Sequence, residues 1–160
     1  MKLNLGCGAQ LREGYDNIDL KGGKDVIKLD LRDELPYKKG TVDEIYASHI
    51  IEHFTQDEAI TMLCEWHTLL KKGGTLELWT PDFHKLVVKY VENPDKFSEV
   101  AWRLYANPED PHKAIYNFQH LSCILGKILS GFKDIEYLEE DKHPFPGRHK
   151  GIQMGLRCVK

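Results

Sequence analysis

Short apolar runs, separated by polar and glycine-rich connections, set the rhythm of this sequence. Lys2–Leu5, Asn17–Leu20, Val26–Leu29, Glu44–Ala47 and Thr75–Trp79 have the length and residue types of buried strands. Asp134–Leu138 and Ile152–Val159 repeat the pattern near the end. Helical patterns alternate with these runs, the order expected of βαβ units and a largely parallel sheet. The clearest helix opens at Thr55-Gln56-Asp57-Glu58, a capping box with Thr55 as N-cap and Glu58 reaching back. Ile60, Leu63, His67 and Leu70 then recur at helical spacing, and Gly73-Gly74 is the expected stop. More helices are expected between Thr80 and Phe132, broken at Asn93-Pro94 and across Asn107–Pro111, as a helical insertion over residues 81–131.

Two early connections are short. Only Ala9 to Asp16 separate the first two strands, and Lys21 to Asp25 the next two. A parallel crossover normally takes about a dozen residues with a helix among them, so the first helices are expected to have shrunk to single turns. The expected architecture is one domain, residues 1–160, with a doubly wound, mostly parallel seven-stranded α/β sheet. Its last strand, Ile152–Val159, is expected to run antiparallel beside the sixth.

Composition narrows the class. A chain of 160 residues supports one core, and 41% hydrophobic with 29% charged residues is the balance of a globular protein. The net charge of −3 lacks the basic footprint of a nucleic-acid binder, so no nucleic-acid partner is expected. No apolar run reaches the roughly 20 residues that span a bilayer, and the N-terminus has no signal-peptide pattern. The four cysteines, Cys7, Cys64, Cys123 and Cys158, are scattered without a CxxC pair. They fit a reducing compartment, and a cytoplasmic location is the expectation.

Candidate chemistry gathers where strands end. Leu3-Asn4-Leu5-Gly6-Cys7-Gly8 runs from a strand into a glycine turn, which lets backbone approach a ligand closely but by itself equally suits a plain tight turn. Asp19, in Asn17-Ile18-Asp19-Leu20, places a carboxylate at the end of the second strand, able to accept hydrogen bonds from both hydroxyls of a ribose. A dinucleotide fingerprint is disfavoured, because Leu11 stands where its third glycine belongs and the acid comes too early. Asp30-Leu31 closes the third strand, and Ile45-Tyr46-Ala47-Ser48-His49-Ile50-Ile51-Glu52-His53 forms the fourth strand and the turn beyond it.

In this order, LNLGCG, NIDL, LDL, ASHIIEH and LLKKGGTLELWTPD resemble the successive motifs of class I S-adenosylmethionine (SAM)-dependent methyltransferases. They are especially similar to a short bacterial branch with an ASHVLEH-like fourth motif. The likeness is close over residues 3–82 and looser through 117–136. It implies a Rossmann-like methyltransferase fold with SAM as cofactor and S-adenosylhomocysteine as product. By that resemblance Leu5, Gly6, Cys7 and Gly8 pass under the methionine part of SAM. Asp19 holds the ribose, Leu20 packs on the adenine, Asp30 and Leu31 frame it, and Ser48 and His49 sit beside the sulfonium. The chain starts at its first strand, without the N-terminal helices that often lid the cofactor. Two outcomes are therefore open: a modest cofactor affinity, or a homo-oligomer or partner subunit that completes the pocket.

The histidines divide the acceptor side. His49 and His112 are the candidates for taking the acceptor's proton, since a neutral imidazole titrates near pH ~6.5. His143, Arg148 and His149 are candidates for binding the acceptor, with Arg148 pairing an acidic group; scattered surface histidines are the plain alternative. His49-Ile50-Ile51-Glu52-His53 also matches an inverted zinc-protease pattern. It is disfavoured because it starts at a strand end and shows no third ligand, so no metal is expected. Trp66 and Trp79 are expected to pack, and Trp102, Tyr105, Tyr116 and Phe118 of the insertion are expected in the core, with the wall of an acceptor pocket as the alternative. The turn after strand four lacks the Asn/Asp-Pro-Pro-Tyr of amino-group methylases, which favours a small, hydroxyl-bearing acceptor such as a sugar or another metabolite. The competing class is a SAM-binding or partner-binding protein without activity of its own.

Overall fold

The structure, a computed structural model, describes residues 1–128, 131–145 and 149–160. Seven strands pair into one sheet: β1 (Lys2–Leu5), β2 (Asp16–Asp19), β3 (Ile27–Lys28), β4 (Val42–Ser48), β5 (Leu70–Pro81), β6 (Lys133–Leu138) and β7 (Gln153–Val159). Their order is β3-β2-β1-β4-β5-β7-β6, and only β7 runs antiparallel to its neighbours. The mostly parallel sheet and its reversed last strand are those expected from the sequence.

Alternation along the central strands separates two faces. Leu3, Leu5, Ile45, Ala47, Leu76 and Leu78 bury one face in the main core with Met62, Leu63, Trp66 and Leu69 of α1 (Gln56–Leu69). The capping box of α1 forms as expected, with Thr55 and Glu58 bonded reciprocally. The other face carries Asn4, Tyr46 and Trp79, and here the crossover helices are missing. No helical turn stands between β1 and β2 or between β2 and β3, where single turns were expected; turns and extended chain alone connect them.

Polar contacts replace the first of those helices. Asn4 Nδ2 donates to Asn17 Oδ1 at 2.7 Å and to the Gln10 carbonyl at 2.9 Å, and Asn17 Oδ1 also accepts from the Arg12 amide at 2.9 Å. This fixes the loop so that the Arg12 guanidinium lies 4.3 Å from the Tyr15 ring centre and 4.0 Å from that of Tyr46. A cation on two aromatic faces covers apolar surface that a helix would otherwise bury.

The end of α1 differs from expectation. The helix stops at Leu69, because Leu70 is already extended and pairs with Val42 as the first residue of β5. Gly73-Gly74 therefore lies inside β5, at the register shift between the Val42 and Glu44 pairings, where Gly73 takes φ +79°.

The insertion holds α2 (Phe83–Glu92), α3 (Phe97–Tyr105), a two-residue ribbon pairing 106–107 with 110–111, and α4 (Phe118–Cys123), which continues as a π-helical turn over Ile124–Ile128. Both expected breaks occur. Trp66, Trp79 and Tyr116 are buried and Phe118 packs on the core, but Trp102 and Tyr105 are 56% and 70% exposed, which corrects their expected core placement. The reason is that α3 buries only Val100, against Leu86 and Ile152, and turns its aromatic side outward.

Gly155 in β7 faces the indole of Trp79, and a Cβ there would stand 2.7 Å from three ring carbons. Trp79 is fully buried and cannot step aside. Gly155→Ala is expected to destabilise the fold by about 1–3 kcal/mol through overpacking, read as a lower urea midpoint at unchanged m-value.

Candidate active site

The carboxyl ends of β1, β2 and β4 lie side by side, and the sheet's polar site residues gather there. At the end of β1 the chain turns through Gly6 (φ +66°) and Gly8 (φ +52°). A Cβ at Gly6 would meet Ile50 side-chain carbons at 2.5–2.9 Å, so only glycine fits. A Cβ at Gly8 would meet nothing within 4 Å: its backbone borders open space. Asp19 clasps this turn, its Oδ2 accepting from the Gly8 amide and its Oδ1 from the Lys21 amide, both at 2.9 Å. Leu20 beside it is 57% exposed, an apolar side chain with no core to join.

Other residues of the expected cofactor set serve differently. Leu5 and Leu31 are 0% and 4% exposed and belong to the main core, so their side chains support the site from beneath. Cys7 is buried, and burial, with Asp19 adding to it, pushes its thiol up. The hydrogen bond from Arg32 holds the Asp30 carboxyl below its usual range; Arg32 Nε lies 2.9 Å from Asp30 Oδ1.

His49 follows β4 with φ +52°, a left-handed conformation uncommon outside glycine and found where a side chain must be aimed. Its amide donates to the Trp79 carbonyl at 2.8 Å, which pins it to the neighbouring strand. His49 Nδ1 lies 3.2 Å from Glu52 Oε1, and Nε2 lies 2.9 Å from Gln153 Oε1. With the Nδ1 proton directed at the carboxylate, Nε2 is the free base position, and the Gln153 amide can turn to present either its oxygen or its nitrogen there. Burial drives the Glu52 carboxyl up, but the hydrogen bond and charge of His49 and the charge of His53 outweigh it, leaving Glu52 below the ordinary value. Thr80 Oγ1 donates to Glu52 Oε2 at 3.2 Å.

The remaining histidines part company. His149 stacks on His49 with ring centres 3.8 Å apart. His143 is buried at 4% exposure, with Nε2 at 3.0 Å from Ser48 Oγ and its ring edge-on to Trp79. It thereby braces Ser48. His112 packs edge-on against His53, ring centres 4.8 Å apart, rather than against His49. Arg148 lies outside the described residues. Gln153 and Glu52 were not read as partners of His49. A glutamine in the apolar run Ile152-Gln153-Met154 was the available signal for the first, and the i, i+3 spacing for the second.

Comparison with known proteins supports a methyltransferase. Residues 7–78 match the family model described as a methyltransferase domain. Among proteins of curated function, none matches the chain in sequence. Solved structures share the fold across 99% of the chain. A SAM-dependent methyltransferase from Archaeoglobus fulgidus aligns with TM-score 0.66 at 15% identity over 85% of its length. A possible histamine N-methyltransferase from Thermotoga maritima aligns with TM-score 0.66 at 17% identity over 81%. The 1,6-didemethyltoxoflavin-N1-methyltransferase of Burkholderia thailandensis, solved with S-adenosylhomocysteine, aligns with TM-score 0.65 at 17% identity over 70%. Residues 7–78 are thus similar to a methyltransferase domain, and the chain has the fold of solved SAM-dependent methyltransferases.

Burial holds the imidazoles of His143 and His67 below their ordinary range, so both are neutral in the folded state at pH values where the unfolded chain binds a proton. Their contribution to stability is complete above the unfolded value near pH ~6.5 and is lost as pH falls through the folded values. The urea midpoint is expected to drop between pH 7.5 and pH 5, each such group adding a slope of up to about 1.4 kcal/mol per pH unit. His143→Gln should flatten that slope; an unchanged slope would remove His143 from the account.

Proposed function

We propose that this chain transfers a methyl group from SAM to a hydroxyl of a small acceptor such as a sugar or another metabolite, with His49 as the base that takes the acceptor's proton. One observation carries the reading. An open glycine turn clasped to a strand-end carboxylate and a half-buried histidine paired with the buried Glu52 stand at the same edge of the sheet, the edge where open α/β folds receive ligands.

The residues present fit the cofactor. Gly8 leaves the space a Cβ would fill, Asp19 offers the lone pairs its two amide partners do not use, and exposed Leu20 suits an adenine face. Gly6, Cys7 and Gly8 would line the methionine part through backbone, and Asp30 would border the base. When bound, SAM supplies a methyl group already activated by its sulfonium, so the protein's share is orientation and proton removal.

His49 holds its ring between Glu52 and Gln153, with the Nδ1 proton on the carboxylate. As the acceptor oxygen is alkylated, its proton passes to Nε2, and Glu52 stabilises the resulting imidazolium. Gln153 gives way at Nε2 to the acceptor hydroxyl. His149, stacked on His49, would border the acceptor, Arg148 would pair an acidic group of it, and His143 positions Ser48. His112, set against His53, is not given the proton-transfer role. A second copy of the chain or a partner subunit that completed the pocket would find exposed apolar side chains on the insertion, Phe97, Trp102 and Tyr105 among them.

Calorimetric titration with SAM and S-adenosylhomocysteine, with NADH as control, is expected to show micromolar binding of the first two only. Asp19→Ala should weaken it by about 10–100-fold, the worth of charge-assisted hydrogen bonds. His49→Ala should keep SAM binding within about threefold, yet lower turnover on an acceptor found by screening by about 10²–10⁴-fold. Absence of binding at millimolar ligand would sink the cofactor assignment; full turnover by the His49 variant would sink the base.

A further inference from the structure

A second cluster of ligating side chains sits beside the first, and the methyl-transfer reading makes no use of it. Glu52, His53 and His112 bring one ligand atom each within 4.8 Å of one another. The first two lie on the 3-10 turn Ile51–His53 after β4, and His112 follows the ribbon of the insertion. The Glu52 carbonyl joins these segments, accepting from the Lys113 amide at 2.8 Å and the Ala114 amide at 3.2 Å. The ligand set therefore rests on backbone hydrogen bonds, not on surface side chains drifting together.

We propose that Glu52, His53 and His112 bind one divalent transition-metal ion of the zinc type. Two imidazoles and a carboxylate are the donor set that such an ion takes, with a fourth position left for another ligand. Three further observations point to the ion. His53 Nδ1 is shielded from solvent and makes no hydrogen bond of acceptable geometry. Asp110 Oδ1 nevertheless stands 3.0 Å from it, close to the roughly 3.4 Å between two ligand atoms on a tetrahedral ion with bonds of about 2.1 Å. Asp110 is the candidate for the fourth position. A cavity of about 10 Å³, bordered by Glu52, Thr80, Arg103, His112 and Tyr116, has room for about one water.

The inverted zinc-protease pattern in the sequence lacked a third ligand; His112, from the insertion, supplies it, while His49 turns instead to Glu52 and Gln153. Bound there, the ion ties the insertion to the end of β4 and shares Glu52 with His49. The proposal stands whether or not the acceptor is a hydroxyl.

The test is metal binding by the full chain after chelator treatment. Titration with Zn²⁺ by calorimetry, and with Co²⁺ by its visible absorption, is expected to show one ion per chain at micromolar or tighter affinity. His53→Asn and His112→Asn should each weaken binding by roughly 10–100-fold or more, since loss of even an outer-shell partner costs that much. Asp110→Asn should weaken it less, and His84→Ala, a change at an exposed histidine, not at all. Circular dichroism checks that each variant is folded. SAM affinity should be unchanged in the His53 and His112 variants, since the residues proposed to hold the cofactor include neither. No stoichiometric binding by the folded wild-type chain overturns the proposal, as does binding that survives both histidine substitutions. The site then reduces to a His53–Asp110 ion pair.

Discussion

The buried carboxylate of Glu52 is the contact around which the working end of this protein is organised. A charge with 2% side-chain exposure persists only where hydrogen bonds and opposite charge replace the lost water. Glu52 meets that demand by drawing His49 onto one oxygen and Thr80 onto the other, while its main-chain carbonyl captures the amides of Lys113 and Ala114. One residue thereby connects the end of β4, the end of β5 and the stretch of the insertion just past its ribbon. The left-handed backbone of His49 is held by the same arrangement, because its ring must reach Glu52 while its amide stays bonded to Trp79.

A second constraint acts at the other side of the site. Short connections between the early strands leave one face of the sheet without helices, and the Asn4–Asn17 pair with the Arg12 guanidinium covers it. The same economy presents the glycine turn with little around it. Gly8 borders open space and Leu20 is exposed, a surface that costs free energy in water and gains from a bound adenine or an opposing chain.

Base and metal readings draw on the same carboxylate for different ends. On the first reading Glu52 would fix the His49 tautomer and balance the positive charge that develops during proton transfer. On the second it would supply the anionic member of a cation site with His53 and His112. A carboxylate with two oxygens can serve both, as bridging and outer-shell carboxylates do around metal-bound histidines.

Much of the fold was legible in the chain itself. All seven strands fell within five residues of their observed ends, the first coinciding at both, because alternation and glycine or proline punctuation are local signals. The capped start of α1 was readable from Thr55 and Glu58 alone. The glycine turn, Asp19 and His49 stood out because strand-end chemistry is written in contiguous residues. What sequence could not decide were pairings between distant segments. Leu70 leaves the helical pattern because Val42 offers it a strand partner, and Trp102 and Tyr105 stay exposed because, among the described residues, no element covers that side of α3. His112 turns to His53, His143 disappears beneath Ser48, and Gln153 reaches His49. Each of these depends on which surfaces the folded sheet brings together, and local periodicity carries no record of that.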